Sequence, residues 1–304
     1  NSTTTLTSGG TFIVPKYTID TQGRIINSEN VTMTLPSSSG SSGTGTTTLP
    51  AAMTNSYSHN SFYIENDIGT LFDNGTFSTQ IANGTFDDIY PGCYFTKSVT
   101  IAGTAYTCTF KVVDIDPFYG GFDSEYIEPV TVNTHHVGVV ITNGLPNHVM
   151  NSTNITTGGY VSSEMHTWLT GDVLTGLTTA LTSAHMLAHS KEYSNAVDDS
   201  LYNRFGSATG ASSDWAWSGS QYISLLSEIQ VYGSTVWSSS GYDTGEARKQ
   251  LAAFKLVNAQ KVWGNKYPWL RDVASSAFFC FCYDYGNARY GNAYSPYCSC
   301  PLIL

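Results

Sequence analysis

The chain has little charge and few basic residues. Only 12% of its 304 residues are Asp, Glu, Lys or Arg, and 13 Lys and Arg stand against 23 Asp and Glu, for a formal net charge of −10. A nucleic-acid partner requires clustered positive charge that neutralises phosphates. This charge balance therefore argues against nucleic-acid binding. The sequence also lacks any apolar run near the roughly 20 residues of a membrane-spanning helix, so we predict no membrane span.

Catalytic and cofactor-binding motifs are missing as well. The sequence contains no Gly-rich phosphate loop, no His-Glu-x-x-His, no Gly-x-Ser-x-Gly and no dinucleotide-binding fingerprint. Three weak candidates are present: the pair His135-His136, the i, i+4 pair His185 and His189, and an acidic group of Asp114, Asp116, Asp123 and Glu125. The histidines are more typical of structural or solvated positions, and the acidic group lacks the spacing of an EF-hand. We therefore expect no enzyme activity, no cofactor and no metal site.

The six cysteines are distributed unevenly. Cys93 and Cys108 are isolated, whereas the C-terminal region has two Cys-x-Cys pairs, Cys280 with Cys282 and Cys298 with Cys300. In a strand, residues i and i+2 face the same side, so each pair would present both sulfurs together. Disulfides, a soft-metal site and free thiols all fit this pattern, although the spacing differs from that of zinc knuckles.

The composition divides the chain into three parts. Residues 11–20 and 25–35 are rich in strand-forming residues and are separated by a Gly-containing turn, which predicts a β-rich segment over residues 1–36. Residues 37–48 are purely Ser, Gly and Thr, and we interpret residues 37–50 as a flexible linker before a domain at 51–304. Two short strands cannot bury a core alone, so we expect the N-terminal segment to assemble with other copies, as a homotrimer. Because the chain begins at Asn1 without Met, we also expect a processed or partial product.

Beyond residue 50, short strands alternate with helices. Strand-forming runs occur at 62–64, 93–95, 106–113 and 137–142, the last of them nearly continuous and apolar. Leucines at helical spacing predict a helix over 172–188, and an apolar stripe followed by Gly233 predicts a second helix over 220–230. After residue 262, aromatic and small residues interrupted by Gly and Asn predict a β-hairpin region. The mixture favours the α+β class with a loop-rich face.

The segment from Val273 to Leu304 has an unusual composition. It contains no Lys, Glu, Gln, Met or Trp, and is rich in aromatic residues, Asn, Ser, Gly, Ala and Cys. Tyr, Asn, Ser and Gly with an occasional Arg are typical of binding surfaces, although an aromatic core hairpin is the alternative interpretation. The small residues between the aromatic ones favour the interpretation as a binding surface, with the large side chains facing outward. The candidate ligand-binding residues are Phe278, Phe281, Tyr283, Asp284, Tyr285, Asn287, Arg289, Tyr290, Asn292, Tyr294 and Tyr297.

Several separated blocks of the sequence resemble one family. The C-terminal block comprises Trp269-Leu270-Arg271-Asp272-Val273 with Phe279, Gly286, Ala288, Ala293 and Ser295. The upstream blocks are Thr85-Phe86-Asp87-Asp88-Ile89-Tyr90-Pro91-Gly92, Thr134-His135-His136-Val137, Asn154-Ile155-Thr156-Thr157-Gly158-Gly159-Tyr160, Ser163-Glu164-Met165 and Leu225-Leu226-Ser227-Glu228-Ile229-Gln230-Val231-Tyr232-Gly233. Over residues 55–304 the chain is thus similar to phage and prophage proteins with a C-type-lectin fold, a group that includes variable proteins diversified by retroelements. Residues 17–25 are similar to a turn of phage tail-fibre segments.

The resemblance implies which C-terminal residues vary. In diversified members, mutation at template adenines turns Asn-type codons into others, and Lys, Glu, Gln, Met and Trp cannot arise while the third base stays a pyrimidine. The scaffold would then be Phe279, Gly286, Ala288 and Ala293, with displayed residues between them. One departure is Cys298-Ser299-Cys300-Pro301, where the family has Gly-Val-Arg-Pro. Without that Arg, either disulfides compensate or the local structure differs.

The resemblance also implies a function. We expect a virion-exposed, extracellular receptor-binding or adhesion protein of a tail fibre or head fibre. It would bind a host cell-surface protein or glycan noncovalently through the aromatic C-terminal face, and residues 1–50 would contact other virion proteins. Two alternatives stay open: a structural decoration protein of the capsid or tail, and an enzyme of the formylglycine-generating type, which shares this general fold and uses cysteines.

Overall fold

The structure is a computed structural model that describes residues 11–19, 25–34, 56–119, 133–182, 185–194, 215–238 and 250–304. The chain forms two compact units, Asn1–Thr48 and Leu49–Leu304. In the first unit, β1 (Thr11–Ile19) and β2 (Ile25–Thr34) pair antiparallel, with Thr11 opposite Thr34. The two predicted N-terminal strands are therefore confirmed as a hairpin. The predicted linker over 37–50 lies outside the described residues.

The second unit contains antiparallel sheets and short helices. Its strands are β3 (Tyr94–Ile101), β4 (Thr104–Ile115), β5 (Val137–Asn143), β6 (His189–Ser194), β7 (Trp215–Gln221), β8 (Ile223–Ser224), β9 (Trp269–Ser275), β10 (Phe278–Cys282), β11 (Ala288–Asn292) and β12 (Leu302–Ile303). Its helices are α1 (Ser56–His59), α2 (Gly69–Asp73), α3 (Thr76–Asn83), α4 (Glu164–Trp168), α5 (Leu174–Leu181), α6 (Glu228–Tyr232), α7 (Ala252–Leu256) and α8 (Ala259–Trp263), with a π-helical turn, Leu169–Val173, joining α4 to α5. The mixture confirms the predicted α+β class.

Three sheets organise the second unit. A five-stranded sheet has the order β3-β4-β5-β12-β8, a three-stranded sheet has the order β11-β10-β9, and β6 pairs with β7. The central strand of the five-stranded sheet, β5, is buried on both faces. In β5, Val139 and Ile141 face one apolar cluster with Phe110 and Phe279, whereas Val140 faces a second cluster with Leu270. The buried strand predicted at 137–142 is confirmed, as are the strands at 93–95 and 106–113.

The helix predicted over 172–188 has different bounds. The helical stretch begins at Glu164, where the Ser163 Oγ accepts a hydrogen bond from the His166 N–H at 3.1 Å, and it ends at Leu181. Leu187 lies beyond it and donates its N–H to the Leu304 carbonyl at 2.7 Å. Leucine spacing alone predicts a helix that continues past Thr182. The φ of 61° at Thr182 is not helical, and the helix ends before it. His185 and His189 therefore do not share a helix face.

The helix predicted over 220–230 is wrong for most of its length. Residues 215–221 and 223–224 are strands, and only α6 is helical. Ser227 and Gln230 form a capping box that starts α6 after the strand ends. A short apolar run buried in a sheet has the same composition as a buried helix, and periodicity alone cannot separate the two. The strand predicted at 62–64 is also wrong, since those residues form a loop in which the Ile64 N–H donates to the Pro91 carbonyl.

The β-hairpin region predicted after residue 262 is confirmed as β9, β10 and β11. Among the described residues, no helix is both long and apolar enough to cross a membrane.

Candidate recognition surface

The β10–β11 hairpin carries most of the candidate residues. A first set of pairs places Phe279 opposite Gly291 and Phe281 opposite Arg289. A second set alternates with the first along the strands and places Cys280 opposite Tyr290. Because strand side chains alternate, the first set faces the main apolar cluster and the second set faces the opposite side. β11 is the edge strand of its sheet. The hairpin thus projects side chains from both sides of an exposed edge.

Small and buried residues shape this hairpin. Gly286 lies in the connecting turn with a φ of 86°, and a Cβ there would lie 2.9 Å from the Gln260 backbone nitrogen. Ala293 is fully buried and its N–H donates to the Asn154 Oδ1 at 3.0 Å. Phe279 is also fully buried. These residues support the hairpin from below and leave its rim to the larger side chains.

The eleven candidates differ in exposure. Tyr285 is 66% exposed, Tyr294 51% and Tyr290 43%, and Asn287 and Arg289 are exposed as well. The half-buried candidates are Phe278, Tyr283, Asp284, Asn292 and Tyr297. Phe281 is only 4% exposed and packs against Trp269 and Tyr297, so the structure places it in the core and not on the display surface.

One group of aromatic side chains lies on the Tyr290 side of the hairpin. The Tyr290 ring centroid is 5.2 Å from that of Phe278 and 4.9 Å from that of Trp237. Trp237 meets Tyr290 edge to face, and its indole N–H donates to the Ala288 carbonyl at 2.8 Å. We call Trp237, Tyr290 and Phe278 the Trp237 cluster. Its rings are fixed by mutual packing while Trp237 and Tyr290 stay accessible.

A second group surrounds Tyr283. The Arg289 guanidinium lies 5.3 Å from the centre of the Tyr283 ring, and Tyr285 and Tyr267 lie 6.0 Å and 5.2 Å from it. The Tyr267 hydroxyl donates to the Asp284 Oδ2 at 3.2 Å. Partial desolvation and this hydrogen bond raise the pKa of Tyr267, so the phenol stays a neutral donor. Arg289 and Asp284 supply one charge of each sign to this group.

A neighbouring loop extends the surface past the end of β11. The Asn154 side chain donates to the Asn292 Oδ1 at 3.0 Å, and the Asn151 N–H donates to the Ala293 carbonyl at 3.0 Å. These bonds hold Ile155, which is 51% exposed, beside the chain that leads to Tyr294.

Sequence reasoning missed Trp237, Val236 and Ile155 as parts of this surface. Each lies outside the segment with the unusual composition, in a loop that becomes a neighbour only after folding. The link to Trp237 is visible only in the structure, where Glu228 is completely buried and its carboxylate must be satisfied by nearby donors. Its carboxylate accepts hydrogen bonds from the backbone N–H groups of residues 236, 237 and 238.

The cysteines are free thiols. Cys280 and Cys282 do face the same side, in the second apolar cluster, as their spacing predicts. Cys298 and Cys282 lie on opposite sides of Pro268, because Cys298 bridges to Pro268 and the Cys282 N–H donates to the Pro268 carbonyl at 2.9 Å. Two strand spacings separate their Cα atoms by about 9–10 Å, more than the roughly 7 Å that a disulfide spans. Cys300 is a buried free thiol.

Burial controls the ionisation of these thiols. It raises the pKa of Cys282 to about 12, and those of Cys93 and Cys108 to about 11. Burial also raises the pKa of Cys300 well above its usual value. Thiolate nucleophiles have lowered pKa values, so these four thiols are unsuited to nucleophilic catalysis.

The weak candidates for metal or catalytic roles have structural partners. His136 is buried and His135 is partly exposed, and the His135 Nδ1 lies 2.7 Å from the Asp116 Oδ2. Asp114 is buried and accepts hydrogen bonds from Asn60 and from the Ala252 N–H. Asp123 and Glu125 lie outside the described residues. Within the described ranges, no three His, Cys, Asp or Glu side chains are grouped as metal ligands.

A separate apolar cavity of about 220 Å³ lies between α3 and the C-terminal residues. Its walls include Phe72, Ile81, Met186 and Leu304, and His135 and His185 line it as well. The His185 Nδ1 lies 2.9 Å from the Leu181 carbonyl oxygen, so this imidazole is engaged within its own turn. None of the eleven candidates lines this cavity.

Searches of protein-family models, curated proteins and solved structures found no match to this chain.

Proposed function

We propose that the protein is a virion-exposed, receptor-binding or adhesion protein of a bacteriophage, with a C-type-lectin-like second unit. The β10–β11 hairpin and its flanking loops would be the recognition surface for host cell-surface ligands. Binding would be noncovalent, with tyrosine rings supplying contact area and Asn287, Asn292, Asp284 and Arg289 supplying polar contacts.

The concentration of exposed apolar side chains around one hairpin supports this proposal most strongly. Of the ten large apolar residues with high exposure in the described part of the chain, six surround β11, namely Ile155, Val236, Trp237, Tyr285, Tyr290 and Tyr294. Single exposed apolar residues are ordinary on a soluble protein, but a group of them marks an interaction site. Backbone bonds and packed aromatic rings hold the group in place before any ligand arrives, which lowers the entropy cost of binding.

The first unit supports the fibre part of the proposal. A two-stranded hairpin has no core of its own, so residues 1–50 would assemble with other copies or other virion proteins. Three copies would give the homotrimer typical of a fibre and would multiply the affinity of three recognition surfaces.

A cell-binding assay tests the proposal. Fluorescently labelled full chain is measured on a panel of bacterial strains, together with a variant carrying Tyr283→Ala, Tyr285→Ala and Tyr290→Ala. The control is Tyr119→Ala, which removes a side chain of similar exposure (45%) outside the recognition surface.

We expect the triple variant to lose at least about 100-fold in affinity, because buried interface tyrosines contribute about 2 kcal/mol or more each. The control should bind like the wild type. Equal loss in both variants, or binding that survives in the triple variant, would contradict the proposal. A decoration protein would bind no strain, and images of the particle would show the hairpin against another virion protein and not projecting outward.

A further inference from the structure

We propose that Trp237 is a fixed anchor of the recognition surface and that it contacts an apolar side chain of a protein ligand. This inference rests on the proposed function, because it assigns a residue and a partner class to the same surface. It goes further in placing an essential contact outside the C-terminal segment, in the loop formed by residues 236–238.

Trp237 has the exposure and rigidity of an anchor. Its side chain is 41% exposed, yet its one polar group is satisfied by the Ala288 carbonyl at 2.8 Å. The edge-to-face contact with Tyr290, at 4.9 Å and 68°, fixes the plane of the indole. A ring that is already oriented and already hydrogen-bonded loses little entropy and no hydrogen bond when a partner covers it. Tryptophan is also among the residues most enriched at binding hot spots.

A buried carboxylate holds the loop that presents this ring. Glu228 is 0% exposed, and its two oxygens accept hydrogen bonds from the N–H groups of Val236 at 2.8 Å, Trp237 at 3.0 Å and Ser238 at 2.9 Å. Hydrogen bonds to an ionised acceptor are about twice as strong as neutral ones.

The Glu228 backbone is fixed in turn. Its N–H donates to the Asp272 Oδ2 at 2.7 Å, and α6 begins there with the Ser227 capping box. Three consecutive backbone donors are thus directed at a single buried anion, and the side chains of Val236 and Trp237 are turned outward. Glu228 is a positioning residue for Trp237.

The neighbours of Trp237 indicate a protein partner. Val236, the residue before Trp237, is aliphatic and 51% exposed, and the aromatic rings of Tyr290 and Phe278 lie on the same side of the hairpin. Sugar rings stack on aromatic planes and need hydrogen-bonding groups around them. The charged side chains Asp284 and Arg289 lie in the other group, around Tyr283, and not beside Trp237. A surface of aromatic and aliphatic groups suits the apolar side chains of a folded or extended polypeptide. The charges of the C-terminal segment also cancel, since after Val273 the only charged side chains are Asp284 and Arg289.

Selection from a displayed peptide library tests this inference directly. The full chain is immobilised and screened with a random linear peptide library on phage, and in parallel it is applied to an array of bacterial surface glycans. Enriched peptides and any bound glycans are then measured against the wild type, Trp237→Ala, Trp237→Phe, Glu228→Gln, Tyr285→Ala, Tyr290→Ala and the control Tyr119→Ala. The indole N–H resonance of Trp237, assigned by its loss in Trp237→Phe, reports whether Glu228→Gln loosens the loop.

We expect enriched peptides that carry an aromatic or aliphatic anchor. Their affinity should fall at least about tenfold in Trp237→Ala and less in Trp237→Phe, and the control should stay within about twofold. Glu228→Gln should weaken binding several-fold and broaden the Trp237 indole resonance, with the folded state retained.

Four results would overturn the inference. Peptides that bind Trp237→Ala as tightly as the wild type would contradict the role of Trp237, as would the enrichment of no peptide at all. Glycans that bind, and whose binding is lost in Tyr285→Ala and Tyr290→Ala but kept in Trp237→Ala, would contradict the protein partner and leave the proposed function standing. Binding of any probe that is insensitive to both tyrosine changes and to Trp237→Ala would overturn the proposed function as well.

Discussion

At the scale of single residues, aromatic side chains close together in the hairpin have opposite roles. Phe279 is fully buried in the main apolar cluster, whereas Tyr285 is 66% exposed in the adjoining turn. The same class of side chain therefore stabilises the fold at one position and is available for binding at another. The burial of the side chain determines which of these two roles it has, because only buried apolar area contributes to the stability of the fold.

Alanine substitution should separate these two roles. We expect Phe279→Ala to lower the free energy of unfolding by about 3–5 kcal/mol, and Tyr285→Ala to change it by less than about 0.5 kcal/mol. Urea denaturation of both variants measures the difference. A loss above about 2 kcal/mol for Tyr285→Ala would show that its ring is part of the core.

The thiols give a second test at this scale. Cys298 is the one cysteine that is partly exposed, and the other five are buried. We expect a thiol reagent at neutral pH to modify Cys298 first and the others only after denaturation. Raising the pH toward 9 should not change this order, because burial raises the pKa values of Cys93 and Cys108 to about 11 and that of Cys282 to about 12, which keeps them protonated. Fewer than six titratable thiols after denaturation without reductant would reveal a disulfide and contradict the free state of the six cysteines.

At the scale of secondary structure, the close packing of α5 against β3 depends on Gly176. A Cβ at this position would lie 2.3 Å from the Thr100 carbonyl oxygen, which is a backbone atom and cannot move independently. Gly171 lies in the π-helical turn of the same helical stretch, and a Cβ there would have no other atom within 4 Å.

The two glycines therefore form a matched pair. Gly176→Ala should destabilise the protein by about 1–3 kcal/mol, although alanine favours helices. Gly171→Ala should be neutral or stabilising by up to about 1 kcal/mol. Thermal unfolding compares them. Stabilisation by Gly176→Ala would contradict the described packing of α5 on β3.

The elements also show what the sequence could predict. Strands with a clear β composition, such as β4 and β5, are predicted close to their observed positions, as is the region of β10 and β11. The prediction of a helix over 220–230 is wrong because Ile223 and Leu225 are buried in and beside a sheet. Buried strands and buried helices have the same apolar composition, so composition does not separate them. The start of the helical stretch at Glu164 has a usable signal in the Ser163 cap, which leucine spacing does not include.

The sequence predicts only part of the candidate site, as it predicts only part of the secondary structure. Composition identifies the segment that holds Tyr285, Tyr290 and Tyr294, because an unusual residue content is visible without a fold. Composition does not separate Phe281 from these residues, since that depends on strand register. It also does not identify Trp237, whose nearness to Tyr290 depends on tertiary contacts between distant segments.

At the scale of the whole molecule, the two units should behave differently in solution. Full chain should have the mass of about three copies, and residues 49–304 alone should be a folded monomer, because that unit has its own apolar core. Light scattering coupled to size-exclusion chromatography measures both masses. A monomeric full chain, or a trimeric second unit, would contradict assembly through the N-terminal hairpin.

A bound ligand is expected to cover the surface around β11. Hydroxyl-radical footprinting of the full chain, free and bound to cells of a strain that it recognises, measures this coverage for each side chain. We predict protection of Tyr285, Tyr290, Tyr294 and Trp237, with Tyr119 modified equally in both states. Protection of Tyr119 with unchanged modification of those four residues would place the ligand elsewhere and contradict this expectation.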